Sequence, residues 1–203
     1  MLKKIYQDFY KIVKDSFHWI KAINKLAAIN SSELSNEQIY FAYEYAFLKV
    51  FVGWEKLTQD SFVAYLTGKR IKGHYFKTYL KNITESHALQ LLSGTLPYPD
   101  WTKFEDIYKL AKLFFVNHEA FIFPFLEIET KFIEIKKVRN AIVHISTLSI
   151  EKFQGLLRAN LTSYNINMTP GEFLNIQRTR RETFIEHYIS YLETAASKII
   201  PLQ

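Results

Sequence analysis

Residues 35–68 read SNEQIYFAYEYAFLKVFVGWEKLTQDSFVAYLTG. Ser35-Asn36-Glu37-Gln38 is a capping box: the Ser hydroxyl accepts from the N3 amide and the Gln side chain reaches back. Beyond it Tyr43, Phe47, Val50, Trp54, Leu57 and Phe62 recur at the spacing of one helical face. The stretch predicts a long helix to about Thr67, ended by Gly68, with Gly53 allowing a neighbour to pack close. No β-type alternation competes with it.

The same period extends in both directions. Upstream, Ile5, Phe9, Ile12, Phe17 and Ile20 predict a helix over Leu2–Ala28, broken at Ile29-Asn30-Ser31-Ser32. Downstream, a short helix is predicted over Glu85–Leu92, before Ser93-Gly94 and a loop with Pro97 and Pro99. A second capping box, Thr102-x-x-Glu105, opens a helix to about Phe115. Another is expected from Phe125 to Ile145, with Pro124 in its first turn. Ser149–Leu161 reads as helical, Thr169-Pro170-Gly171-Glu172 as the start of a short turn, and Arg178–Ile199 as the last long helix. The expected fold is all-α: one helical-bundle domain over residues 1–203, with antiparallel long helices and shorter ones.

Composition agrees. The 203 residues include only 6 Gly and 5 Pro, too few for a turn-rich sandwich or a linker protein. With 48% hydrophobic and 16% aromatic residues the chain is too apolar for disorder. No Cys is present, which excludes disulfides, thiolate metal sites and cysteine nucleophiles. Lysines at 3, 4, 11 and 14 interrupt any signal-peptide core. The most apolar run, Phe114–Leu126, contains Asn117, His118, Glu119 and Pro124 and is no membrane span. A cytoplasmic protein with no membrane partner is the expectation.

Most possible sites dissolve on inspection. Gly68-Lys69-Arg70-Ile71-Lys72-Gly73 lacks Walker spacing, and Tyr98-Pro99-Asp100-Trp101 is a turn. His118-Glu119 lacks the second His of a zincin motif, since Ile122 stands in its place. His18, His74, His87, His118 and His187 have no partner at telling spacing and read as structural or solvated. No cofactor or metal is expected.

One segment remains: Lys136-Lys137-Val138-Arg139-Asn140-Ala141-Ile142-Val143-His144. On a helical wheel Ile128, Ile135, Val138, Ile142 and Ile145 form a core stripe. Lys136, Asn140 and His144 follow i, i+4 spacing on another side. Arg139 lies about 140° from His144, so the two flank a surface. Phe132, Ile133 and Val143 fall between them, apolar residues that suggest a covering partner. Charge gathers here too. Lys131–His144 holds four cations and one acid, giving +3, and Arg178–Arg181 adds +3; together they equal the net +6.

Arg139, the polar Asn140, three further residues and His144 resemble the signature of the HEPN superfamily (higher eukaryotes and prokaryotes nucleotide-binding). Trp54-Glu55-Lys56-Leu57, before a Leu-Thr-Gly ending, is similar to a helix of its bacterial members. The resemblance implies a HEPN-type helical domain, a homodimer with a composite active site, and metal-independent RNA cleavage. It admits a toxin or antiviral effector restrained by an antitoxin or regulatory protein. Some members carry, two residues after the motif His, a Tyr that a partner nucleotidyltransferase modifies; this chain has Ser146 there. A catalytically silent HEPN dimer used for nucleotide binding or assembly, or a helical adaptor, are the alternatives.

The residue types suit the chemistry. Transesterification at RNA needs proton transfer from the 2′-OH, stabilisation of the phosphorane, and a proton for the 5′-oxygen. Histidine moves protons near neutral pH, and arginine offers phosphate a fixed, permanently charged fork. His144 is therefore the expected general acid/base and Arg139 the phosphate clamp. Asn140 would orient the His144 ring or bind substrate. Lys136 and Lys137, and additionally Arg178, Arg180 and Arg181, would hold RNA. The products expected are a 2′,3′-cyclic phosphate and a 5′-OH.

Overall fold

A computed structural model describes residues 1–29, 34–71, 75–95, 99–144 and 146–202. Eight helices form among them: α1 (Leu2–Ile29), α2 (Asn36–Leu66), α3 (Glu85–Thr95), α4 (Phe104–Phe114), α5 (His118–Val143), α6 (Thr147–Asn160), α7 (Pro170–Asn175) and α8 (Phe184–Ile199). The described residues contain no strand, only the isolated bridges Thr78–Phe115 and Gln177–Thr183. The fold is all-α. The expected break at Asn30–Ser32, together with Lys72, Gly73, His74, Pro97, Tyr98 and Ile145, lies outside the described residues.

The caps explain where the helices begin and end. At Ser35 the box is reciprocal: Ser35 N–H donates to Gln38 Oε1 (2.8 Å) and Gln38 N–H to Ser35 Oγ (3.3 Å). At the far end of α2, Gly68 takes φ +79°, a left-handed conformation open to glycine at little cost. Gly68 N–H then donates to the Tyr65 carbonyl and Lys69 N–H to that of Ala64, both at 2.9 Å. This Schellman pairing satisfies carbonyls that would otherwise end the helix unpaired.

Three expected starts are corrected. Thr102 does not cap α4; its amide and hydroxyl both donate to Asp100 Oδ1, which leaves Lys103 at the N-cap without a side-chain bond. Helix α5 starts at His118, seven residues before Phe125, so Pro124 sits inside it, its missing N–H forgoing the bond to the Ala120 carbonyl. Helix α8 begins at Phe184, six residues after Arg178. The cause is a further capping box: Thr183 N–H donates to Glu186 Oε2 (2.7 Å) and Glu186 N–H to Thr183 Oγ1 (3.4 Å). Before it, Arg178 and Thr179 amides turn back onto the Glu182 carbonyl.

The contacts divide into two compact units, each drawing one segment from α1, α2, α5 and α8. The first comprises residues 1–10, 53–129 and 192–203. Its core is aromatic. Phe62 is fully buried and meets Phe115 (4.8 Å between ring centres), Phe121 (5.3 Å), Trp101 (5.5 Å) and Phe114 (6.4 Å). Burying one such ring contributes about 1.5–3 kcal/mol, and each well-angled ring pair about 0.5–1.5 more. Trp54 meets Phe125 as Phe62 meets Phe121, so α2 and α5 run antiparallel within this unit. Tyr65 adds a buried hydrogen bond to the Ile199 carbonyl (2.7 Å), and burial pushes its hydroxyl pKa up.

The second unit, residues 11–52 and 130–191, carries the Lys136–His144 segment. Phe173 of α7 stacks on Phe184 (4.3 Å) and meets Phe153 edge-on (5.8 Å). Helix α7 sits so close to α2 that a Cβ on Gly171 would fall on the Tyr40 carbonyl. The Gly171 N–H instead donates to Glu44 Oε1 at 2.9 Å, and Glu44, raised in pKa by burial, is partly offset by that bond. On the other side, Glu134 of α5 accepts from Lys131 (2.9 Å) and from the Tyr188 hydroxyl of α8 (3.0 Å). Beside Tyr188 lies the buried His187, whose Nδ1 faces Glu182 Oε1 at 3.3 Å.

Two stability outcomes follow from this packing. Gly171→Ala is expected to cost on the order of 1–3 kcal/mol in denaturant unfolding, because the added methyl meets backbone that cannot rotate away; an unchanged midpoint would refute the close approach. His187 is held below its ordinary pKa of 6.5, first by burial, then by Arg178, with Lys131 in the same sense and Glu182 and Glu134 opposing. The folded chain therefore binds this proton more weakly than the unfolded one. Its contribution is intact above 6.5 and lost as pH falls toward the lowered value. Thermal midpoints should drop on acidification through that range, and less steeply in His187→Gln.

Candidate functional site

Helix α5 places the site by the residues it buries. Ile128, Ile135 and Val138 are inside, as the wheel requires, and Ile142 is half-buried; Ile145 is outside the described residues. Phe132 is a correction. It is 2% exposed and stacks on Phe51 of α2 at 6.0 Å, so it belongs to the core and not to a covered face. Ile133 and Val143 remain exposed, at 52% and 47%.

With α5 fixed by that stack, Arg139 emerges half-buried, and its guanidinium lies over the Phe51 ring, 5.6 Å from the centroid. The planar cation is drawn to the ring face. One nitrogen, Nη1, then serves two neighbours: it donates to Asn140 Oδ1 (3.0 Å) and meets His144 Nε2 (3.1 Å).

Arg139 and His144 thus touch, and do not merely flank a surface as the wheel has it. The difference arises because α5 ends at Val143. His144 stands one residue beyond, its N–H on the Asn140 carbonyl (2.8 Å) and its carbonyl taking the Ser146 N–H (2.9 Å). Ser146 in turn caps α6, its Oγ accepting from Ser149 N–H (3.2 Å). The motif histidine is pinned at its backbone between a helix end and a helix start, while its ring is exposed.

The pairing dictates a tautomer. Guanidinium has donors only, so His144 Nε2 must accept, and the ring proton sits on Nδ1. Asn140 does not orient the His144 ring directly; its side chain holds Arg139, which holds the ring. Among the described residues nothing else binds the Arg139 head, so three of its five N–H groups, on Nη2 and Nε, stay available to a ligand.

No family model, curated protein or solved structure matches this chain. The site is therefore judged on its own geometry.

Lys136, Lys137 and Asn140 line an open cleft of about 580 Å³, which also takes in Lys152 of α6. Lys152 escapes sequence inspection, because an exposed helical lysine is ordinary; its i, i+4 spacing from Leu148 was the available signal. The second cluster of cations does not line this cleft. Arg178 is paired with Glu182 at 2.8 Å, which offsets one of its three charges. Arg180 and Arg181 are exposed and line a different cavity, of about 270 Å³, with Lys21. His118 faces Glu119 (3.3 Å) and the Tyr108 ring (5.6 Å), a structural setting. Among the described residues no three His, Asp or Glu side chains gather as a metal site, and no helix is long and apolar enough to cross a membrane.

The tautomer is directly measurable. In ¹⁵N-detected spectra the neutral His144 ring is expected to carry its proton on Nδ1, and Arg139→Ala to abolish that bias. An unchanged tautomer balance in the variant would show that Arg139 does not control the ring.

Proposed function

We propose that the chain is a metal-independent endoribonuclease of the HEPN type, with Arg139 and His144 as its catalytic pair. The observation that carries this reading is the 3.1 Å contact of Arg139 Nη1 with His144 Nε2, with Nη2 and Nε left for phosphate.

The chemistry begins from the neutral ring. A phosphate seated on the unused edge of Arg139 receives two parallel charge-assisted bonds. His144 Nε2, released from Arg139, takes the proton of the 2′-OH. The 2′-oxygen then bonds to phosphorus, the developing phosphorane charge is met by the guanidinium, and the bond from phosphorus to the 5′-oxygen breaks. A histidine returns a proton to that oxygen, giving a 2′,3′-cyclic phosphate and a 5′-OH. Once protonated, Nε2 has no lone pair for Arg139, and two adjacent cations repel, which drives the ring outward to act as the acid. Asn140 keeps the guanidinium in register throughout.

The exposed Ile133 and Val143 beside the pair support a second copy of the chain as the cover of this face, forming a homodimer with two Arg–His sets. The biological role is proposed as a toxin or antiviral effector, with an antitoxin or other regulatory protein as its restraint. Residue 146 is Ser, not Tyr, and it caps α6, which speaks against nucleotidylation at that position as the control.

Incubation of the pure protein with RNA in EDTA is expected to yield cyclic-phosphate ends. His144→Ala and Arg139→Ala should each lower the rate by about 100-fold or more. Arg139→Lys should not rescue it, since a lysine lacks the fork. Cleavage that needs Mg²⁺, or survives His144→Ala, would overturn the proposal. Equal tolerance of wild type and both variants on expression in bacteria would favour a silent assembly module.

A further inference from the structure

The cleft beside the Arg–His pair gathers lysines from two helices around apolar side chains. Lys136 and Lys137 come from α5 and Lys152 from α6, and no carboxylate lines it. Among the described residues no ion pair involves Lys137 or Lys152, and with no carboxylate in the lining their charges add. Between the cations stand two apolar side chains, Ile133 (52% exposed) and Leu148 (59% exposed). The volume, about 580 Å³, lies within the roughly 300–1,000 Å³ of clefts that bury a small ligand.

Continuity with the site runs through Asn140, which lines the cleft and whose Oδ1 binds Arg139. That carbonyl oxygen is occupied, so the two amide hydrogens are what Asn140 presents to a ligand. The lysines and the Asn140 amide thus present donors, while the one other polar side chain of the lining, Ser149, has its oxygen engaged by the Ser146 hydroxyl (2.9 Å). The complementary ligand is anionic and rich in acceptors, with apolar faces to lay against Ile133 and Leu148.

We propose that this cleft seats the nucleotide flanking the cleaved phosphate of single-stranded RNA. The three lysines hold its phosphates, Ile133 and Leu148 contact its sugar and base, and Asn140 donates to an acceptor of the base or phosphate. The strand must be single, because a duplex keeps its base faces stacked and away from such contacts. Lysines act as point charges without a fork, so they position backbone without reading sequence. No aromatic side chain lines the cleft, so stacking does not select a base here. Placement next to the cleaved phosphate rests on the nuclease proposal; occupancy of the cleft by RNA does not.

Lys152 separates the two, because it is exposed, mid-helix, and outside the catalytic pair. The experiment measures binding of a fluorescein-labelled oligouridylate to the full chain carrying His144→Ala, across a salt titration, with melting curves as the folding control. Adding Lys152→Ala should weaken binding several-fold and lower the slope of log Kd against log salt by about 0.7, the counterions released by one single-strand phosphate contact. Lys152→Arg should retain both, and Lys81→Ala, at an exposed site elsewhere, should change neither. Unchanged affinity and slope in Lys152→Ala would overturn the cleft. So would displacement of the RNA by polyglutamate of matched charge, which would mark an acidic-protein site. If RNA binds through Lys152 but the wild type never cleaves it, the nuclease proposal falls and the cleft stands. If the wild type cleaves and Lys152→Ala binds and cleaves equally well, the reverse holds.

Discussion

The site hangs on one stack of rings. Phe132 lies against Phe51, and the Arg139 guanidinium lies over the same Phe51 ring. Remove the stack and this part of α5 loses a contact with α2 together with the ring that positions the cation seven residues further on. Arginine carries considerable rotamer freedom, and fixing it in solvent would be costly. Here the cost falls on the hydrophobic core, which is buried for its own reasons. Asn140 then needs only to hold an already oriented head group.

The second constraint is the length of α5. Had the helix continued one more turn, His144 would have stood about 140° from Arg139, with the two rings of influence on separate faces. Ending at Val143 frees the side chain to swing back, while two backbone hydrogen bonds keep the residue from drifting. Ser146 contributes by starting α6 immediately afterwards. The Arg139–His144 distance is thus set by where helices stop and start, which is decided by caps.

Much of this was legible in the residues and some was not. The box at Ser35 and the stop at Gly68 were read correctly because both are local: the bonding groups lie within five residues of each other. Thr102 failed as a cap because Asp100, two residues upstream, competes for the same hydroxyl and amide, and a short polar side chain cannot serve both. The true start of α8 was equally visible in Thr183-x-x-Glu186, and residues 178–183, Arg-Thr-Arg-Arg-Glu-Thr, hold no apolar side chain to carry a helical period upstream of it. Pro124 misdirected the start of α5, since proline is commoner at a first turn than inside a helix. At the site, the identities of Arg139, Asn140 and His144 were readable, but their contact was not: a wheel assumes that the helix continues. The exposure of Ile133 and the burial of Phe132 likewise depend on where α2 lies, which no local pattern encodes.

The division of the chain into units has a consequence for its birth. The unit that carries Arg139 and His144 draws on residues 11–52 and 130–191, and the other on three stretches that end at residue 203. Neither is a contiguous piece of the sequence. During synthesis, therefore, no early segment has all its packing partners; Phe51 waits for Phe132, and Glu134 waits for Tyr188. The basic cleft and the Arg–His pair lie within residues 133–152, but the supports behind them come from both sides, Phe51 earlier in the sequence and Tyr188 later. A nascent polypeptide that has not yet reached Tyr188 thus lacks one of the supports of the helix that carries Arg139.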